Sequence, residues 1–145
     1  SEKALNKALQ IKNEYPEAAM ALALLLKTQN RNSEMEQLLK SYQDKFGPER
    51  DMARQLSHHY MEKEDYEKAL EQLEILDGYE RDNLNIKIQI ALILIEQKRY
   101  QAAAQRLEDV LMMAPESDKV RYYLGAVYEE IKQNDLALLH YAKVP

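Results

Sequence analysis

The sequence contains no cysteine among its 145 residues. This absence excludes disulfide bonds, thiolate metal ligands and a cysteine nucleophile. It fits cytoplasmic and periplasmic proteins equally, so the compartment stays open. Glycine and proline are scarce, at three and four residues, and no apolar run reaches the roughly 18 residues that a membrane span requires. The composition therefore predicts a folded, soluble and largely helical protein that does not insert directly into a membrane.

Motifs that carry catalysis are missing as well. The sequence has no glycine-rich phosphate loop, no serine nucleophile elbow and no paired catalytic carboxylates. His58 and Glu62 stand one helical turn apart beside His59, and His140 is alone, so the three or four ligands of a metal site are not assembled. We therefore expect neither an enzyme nor a bound metal or other cofactor.

The charged residues are unevenly distributed along the chain. The net charge is −5, and the segment 62–82 alone carries nine acidic and three basic residues. A protein that binds RNA or DNA needs a basic stripe, so this balance argues against nucleic acid as a partner. The acidic segment itself is typical of a solvated helix face.

A repeat of 34 residues is the strongest feature of the sequence. Its first small position follows a leucine or isoleucine and recurs as Ala23, Ser57, Ala91 and Gly125. Its second conserved spacing places Met35, Ala69, Ala103 and Ala137 in register. A leucine or tyrosine follows each of these positions by three or four residues. A fixed period of this length indicates stacked helix-turn-helix units.

Packing explains why the small residues recur. Helices of this length are too short to be stable alone in water, so their stability must come from stacking. Small side chains let two helix axes approach to about 8 Å. Larger residues, such as Tyr128 and Tyr141 in the last unit, then fill the space around each crossing. The pattern predicts an all-α fold.

Local signals place several helix ends. Ser33, with Glu36 three residues later, predicts a capping box at the start of a helix. Asn83 is expected to cap another helix. The run 86–90 alternates apolar and polar residues as a strand does, but the repeat requires a helix there, so we predict a helix from Leu84 to about Gln97.

The repeating residues resemble the signature of tetratricopeptide repeats. That signature has a small residue after a leucine, an aromatic residue three positions later, an alanine in the second helix and a proline in the closing turn. Residues 84–117 fit it well, including Tyr100 and Pro115, whereas 16–49 fits less well because Met35 stands where alanine is usual. The resemblance implies a right-handed α-solenoid of helix-turn-helix units.

The repeat also predicts how the chain is organised as one array. We expect the second helix of a partial repeat at 1–15, full repeats at 16–49, 50–83 and 84–117, and a truncated repeat at 118–145.

The resemblance further implies a concave groove, lined by the first helix of each unit, that holds a peptide or helix of another protein. We predict that this groove contains Arg54, His58, Met61, Ile88, Gln89, Leu92, Lys119, Tyr122 and Tyr123, with Met20, Leu24 and Ile95 continuing the strip. Packing against a neighbouring repeat is the alternative for Ile88, Leu92 and Ile95. Tyr122 and Tyr123 are better candidates, because tyrosine offers a large contact area at low entropy cost.

Some members of the family grip a C-terminal carboxylate with a lysine, two asparagines, a second lysine and an arginine. The matching positions here hold Arg54, His58, Gln89, Lys119 and Tyr123. Both asparagines and the last cation are missing, and several donors must converge for such recognition. A carboxylate clamp is therefore not expected.

Three functions remain open for such an array. The first is a protein-interaction scaffold, as a fragment of a longer repeat protein in a multiprotein assembly. The second is a peptide-sensing regulatory domain attached to an effector. The third is homo-oligomerisation, for example a homodimer formed through exposed end faces of the array.

Overall fold

The computed structural model describes residues 3–4 and 15–145. Every regular element within these residues is an α-helix, which confirms the all-α class and the helix-turn-helix organisation. The helices with described bounds are α1 Pro16–Thr28, α2 Asn32–Phe46, α3 Arg50–Glu62, α4 Tyr66–Tyr79, α5 Leu84–Glu96, α6 Tyr100–Met113, α7 Asp118–Glu130 and α8 Asn134–Tyr141. The helix expected at 1–15 falls largely outside the described residues.

The turn that follows each first helix has the same backbone geometry in every repeat. One residue with a left-handed backbone stands there, with φ between 55° and 60°, at Asn30, Glu64, Lys98 and Lys132. In the third turn, the N–H of Lys98 donates to Ile95 O at 2.8 Å and the N–H of Arg99 donates to Leu94 O at 2.8 Å. These two bonds form a Schellman motif, which satisfies carbonyls that the helix end leaves unpaired. The turns keep the period of 34 residues although none of the four residues is glycine.

The start of α5 confirms the local signal in the sequence. Oδ1 of Asn83 accepts a hydrogen bond from the N–H of Asn85 at 3.1 Å, so Asn83 caps the helix as predicted. The alternating run 86–90 is helical throughout. Because this helix buries isoleucines on several sides, apolar residues at alternate positions suit it as well as they suit a strand.

The capping box predicted at Ser33 is wrong. Helix α2 begins one residue earlier, at Asn32, and Arg31 occupies the N-cap position without a capping side chain. The carboxylate of Glu36 lies against His59 on α3 instead. It therefore cannot turn back to close a capping box.

The contacts divide the chain into two compact units, Ser1–Leu76 and Asp77–Pro145. In the first unit α1 packs on α2, and α2 packs on α3. Ala23 and Ala69, two of the small residues of the repeat, are fully buried there. Leu39 is fully buried as well, so the first unit has an apolar core built at the positions that the repeat predicts.

In the second unit α5 packs on α6, α6 on α7, and α7 on α8. The small residues Ala91 and Ala103 are fully buried, and so are Gly125 on α7 and Ala137 on α8 within a few per cent. Consecutive helices of this unit therefore meet around the small side chains of the repeat pattern.

Candidate functional site

In the first unit, the predicted groove residues lie on the outer sides of α1 and α3. Arg54 and His58 are exposed, and Met61 is half-buried. On α1, Leu24 is 46% exposed and Met20 is half-buried. These side chains are accessible to a partner, but only Met20 borders a cleft. That shallow cleft, of about 160 Å³, is lined by Pro16, Glu17, Met20, Glu49 and Asp51.

In the second unit, the predicted residues of α5 differ in their exposure. Ile88 is only 8% exposed, so it belongs to the core and offers almost no surface to a partner. Its neighbour Gln89 is exposed, and Leu92 is 36% exposed. The packing alternative therefore describes Ile88, whereas Leu92 remains accessible. Lys119, at the start of α7, is exposed.

Three tyrosines form an aromatic cluster on α7 and α8. The ring of Tyr122 lies 6.3 Å from that of Tyr123 and 5.9 Å from that of Tyr141, measured between centroids. Tyr122 is 58% exposed, and Tyr123 is half-buried. Ring pairs at these distances stabilise one another, so the exposed Tyr122 ring is held in place rather than left free in solvent.

A cleft of about 250 Å³ opens beside Tyr123 in the second unit, and we call it the α5–α7 cleft. Its lining residues are Leu92, Ile95, Tyr100, Tyr123, Ala126, Val127, Glu129 and Glu130. Helix α5 supplies the first two, α6 supplies the tyrosine at its start, and α7 supplies the rest. The cleft brings together three residues of the predicted strip, Leu92, Ile95 and Tyr123. It is apolar along its walls and carries two carboxylates.

A polar cluster that the sequence did not predict joins α2 and α3. Nε2 of His59 lies 2.8 Å from Oε1 of Glu36, and the hydroxyl of Tyr60 donates to Oε2 of Glu36 at 3.1 Å. Nζ of Lys63 lies 3.7 Å from Oε1 of Glu36. Burial alone would raise the pKa of Glu36, but the two hydrogen bonds and the charges of His59 and Lys63 lower it below its ordinary value.

A second cluster of the same composition joins α6, α7 and α8. The hydroxyl of Tyr128 donates to Oε1 of Glu108 at 2.8 Å, and Nε2 of His140 lies 3.3 Å from the same oxygen. The rings of Tyr128 and His140 stack with centroids 5.6 Å apart. Burial, the hydrogen bond to Glu108 and the charge of Glu108 raise the pKa of Tyr128 to about 12.

One signal in the sequence pointed to both clusters. Tyr60 and Tyr128 occupy the repeat position at which Leu26 and Leu94 stand in the other units. A buried tyrosine in place of leucine needs a hydrogen-bond acceptor for its hydroxyl. Sequence reasoning had instead weighed the histidines only as metal ligands.

Two other kinds of site are not found among the residues that the structure describes. No group of three or more histidine, aspartate and glutamate side chains is placed to hold a metal ion. His58 is exposed while His59 turns towards Glu36, so the two adjacent histidines do not converge. No helix in the same part of the chain has both the length and the apolar character to cross a bilayer.

Comparisons with known proteins agree with the helical repeat. Residues 94–145 match the family model of the tetratricopeptide repeat. No curated protein matches the sequence. Among solved structures, MamA AMB-1 is 20% identical and superposes with a TM-score of 0.73 over 88% of this chain and 69% of its own.

Two further structures show the same likeness. A crystal structure of MamA is 14% identical, with a TM-score of 0.71 over 99% of this chain and 84% of its own. MamA 41-end from Desulfovibrio magneticus RS-1 is 13% identical, with a TM-score of 0.67 over 99% of this chain and 81% of its own. At these identities the likeness concerns the fold, which is that of tetratricopeptide repeats. The resemblance noted in the sequence is thus confirmed: residues 94–145 belong to the tetratricopeptide repeat family, and the described helices have its fold.

Proposed function

We propose that this chain is an interaction scaffold that binds a peptide or a helix of a partner protein. The α5–α7 cleft is the observation that carries the proposal. It offers concave apolar surface at Leu92, Ile95 and Tyr123, and the exposed ring of Tyr122 stands on the same helix as Tyr123. Apolar clefts flanked by rigid aromatic rings suit segments that insert hydrophobic side chains.

The repeat boundaries at 49/50, 83/84 and 117/118 are part of this proposal. Each predicted repeat contains one helix pair, and each pair is joined by the left-handed turn described above. The compact units divide instead between Leu76 and Asp77, within α4. Repeats contact their neighbours as closely as they contact themselves, so a sequence repeat and a contact unit need not share a boundary.

Affinity capture tests the scaffold function. Arg54→Glu combined with Tyr122→Ala changes one exposed predicted groove residue in each unit, so it should abolish partner capture. Its melting temperature should fall by no more than a few degrees, because neither side chain is buried. Met112→Ala is the control, since this side chain is 82% exposed on α6 and lies outside the predicted groove. Retention of every partner by the double variant would refute the groove.

Self-association is a second candidate, favoured by one observation on α8. Leu138 is 66% exposed and its neighbour Leu139 is 52% exposed. The residues 34 and 68 positions before Leu138 are Ala104 and Leu70, and they are 5% and 8% exposed. In the second unit, the helix that carries Ala104 is covered by α7. The equivalent face of α8 is therefore suited to another helix, which a second copy of the chain would supply.

Solution mass as a function of concentration tests the self-association. The chain should shift towards dimer as its concentration rises, and Leu138→Glu should hold it as a monomer. Met112→Glu places the same charge on another exposed apolar side chain and should leave the dimer intact. A monomeric mass at every concentration would remove this candidate.

A further inference from the structure

The α5–α7 cleft is small for a binding site. Its volume of about 250 Å³ lies below the roughly 300–1,000 Å³ of typical small-molecule pockets. It is therefore suited to one or two amino-acid side chains rather than to a cofactor or a drug-sized ligand. The apolar walls, formed by Leu92 and Ile95 on one side and Tyr123 and Ala126 on the other, favour an aliphatic or aromatic side chain.

Two carboxylates border these apolar walls. Glu129 and Glu130 are exposed residues in the last turn of α7, and both line the cleft. Neither forms an ion pair with another described residue. Lys119, the predicted cation of the same helix, is ten residues before Glu129, which is about 15 Å along the helix axis. The negative charge at the cleft is therefore not neutralised from within the helix.

The position of these carboxylates is unfavourable for the helix itself. The C-terminal end of a helix carries partial negative charge, so it favours cations and disfavours acids. The last turn of α7 nevertheless contains Glu129 and Glu130 and no basic residue. Their negative field reaches neighbouring groups: burial first, and then the charge of Glu129, raises the pKa of Tyr141. A bound cation would relieve this repulsion.

We propose that the α5–α7 cleft binds a peptide segment in which an apolar side chain stands next to a lysine or arginine. The apolar side chain packs between Leu92, Ile95 and Tyr123, and the cation pairs with Glu129 and Glu130 at the rim. This inference rests on the proposed scaffold function and adds the chemistry of the partner. An acidic segment would meet like charges at the rim, and a neutral polar one would leave the apolar walls unfilled.

Three short synthetic peptides test the proposal with the whole chain. The first places a leucine between lysines in a serine and glycine background, the second replaces the lysines by glutamates, and the third keeps the lysines and replaces the leucine by serine. Binding is followed by shifts of backbone amide signals in NMR spectra. The first peptide should shift the amides around Leu92 and Tyr123 and should bind at least roughly ten-fold more tightly than either of the others.

Charge variants locate the effect on the chain. Glu129→Gln with Glu130→Gln should weaken the lysine–leucine peptide by roughly ten-fold and should remove most of the salt dependence of its binding. Asp109→Asn with Glu116→Gln is the matched control, because it removes the same charge at two exposed positions outside the cleft. Equal weakening by both pairs would show general electrostatic attraction and would overturn the proposal.

Other outcomes separate this proposal from the scaffold function. Equal binding of the glutamate peptide, equal binding of the serine peptide, or no binding of the lysine–leucine peptide at millimolar concentration would each overturn the cleft chemistry. If the Arg54→Glu and Tyr122→Ala double variant still loses its captured partner in that case, the groove stands and only its proposed preference fails. If capture is unaffected while the lysine–leucine peptide binds as expected, the cleft chemistry stands alone.

Discussion

The ring of Tyr141 on α8 lies against the backbone of Gly125 on α7. A β-carbon added at Gly125 would fall 2.6 Å from Cδ1 and 2.8 Å from Cζ of that ring, distances that real side chains do not adopt. The equivalent pairs in the preceding repeats are Ala91 with Leu107 and Ser57 with Leu73. Glycine in the last unit thus accompanies the larger partner, and the two positions share a fixed space.

Gly125→Ala should therefore destabilise the contact between α7 and α8. Overpacking costs about 1–3 kcal/mol, whereas alanine gains up to about 1 kcal/mol over glycine in helix propensity, so the expected net loss is about 1–2 kcal/mol. In a Tyr141→Leu background the same change should be neutral or stabilising, because alanine opposite leucine reproduces the Ala91 and Leu107 pair. Chemical denaturation of the four proteins in this double-mutant cycle measures the coupling. Additive effects would show that the two positions do not compete for space.

The left-handed turn at Lys98 gives a second prediction. A left-handed backbone costs a non-glycine residue about 1–2 kcal/mol, and glycine avoids this cost but loses some entropy on folding. Lys98→Gly should therefore raise the free energy of unfolding by about 0.5–1 kcal/mol. The preceding residue, Gln97, has φ −81°, so Gln97→Gly should instead lower it. Hydrogen exchange in α5 and α6 measures both variants. A loss of stability in Lys98→Gly would contradict the turn geometry.

A buried pair of glutamines in the first unit gives a third prediction. Nε2 of Gln43 donates to Oε1 of Gln72 at 2.8 Å, and Nε2 of Gln72 donates back at 3.1 Å. Gln72→Met keeps the volume but leaves the buried amide of Gln43 without this partner, so it should cost about 1–3 kcal/mol. Adding Gln43→Met should recover much of that loss, because neither polar group then remains. Exposed Gln37→Met is the control and should change little in denaturant titrations. A double variant less stable than Gln72→Met would show that the pair is not reciprocal.

These examples show which parts of the structure the sequence contains. The positions of Gly125 and Ala137 follow from a period, because every unit must solve the same packing problem. The Gln43 and Gln72 pair does not, since the residue one period after Gln72 is Arg106. A contact that occurs once leaves no repeating trace. It depends on side-chain directions that only the folded helices define.

The candidate site shows the same limit. The sequence placed Leu92 and Ile88 on one strip, but a small rotation of α5 decides which of them faces solvent, and Ile88 is buried. Glu129 and Glu130 went unnoticed because a pair of acids at a helix end has no meaning until a cleft is seen beside it. Glycine was sought at the turns, yet Glu64 and Lys98 adopt the left-handed conformation because the two Schellman hydrogen bonds hold them there.

The Glu36 cluster predicts a loss of stability in acid. Its pKa is lower in the folded chain than the ordinary value of 4.5, because the folded state favours the carboxylate. The unfolded state therefore binds a proton first as the pH falls, and the stabilisation is fully present above about pH 4.5 and lost below it. Glu36→Gln should thus be about 1–2 kcal/mol less stable than the natural sequence at neutral pH, since hydrogen bonds to a charged acceptor are stronger than those to an amide.

Denaturant titrations across this pH range measure the difference between the two proteins. It should shrink as the pH falls below about 4.5, where the carboxylate of the natural sequence is progressively protonated. Glu71→Gln is the control, because Glu71 pairs with Lys40 at 3.7 Å on the exposed surface, where an ion pair contributes little. A difference at Glu36 that stays constant from neutral to acid pH would place its origin in packing, because the proton on Glu36 would then not affect the stability of the first unit.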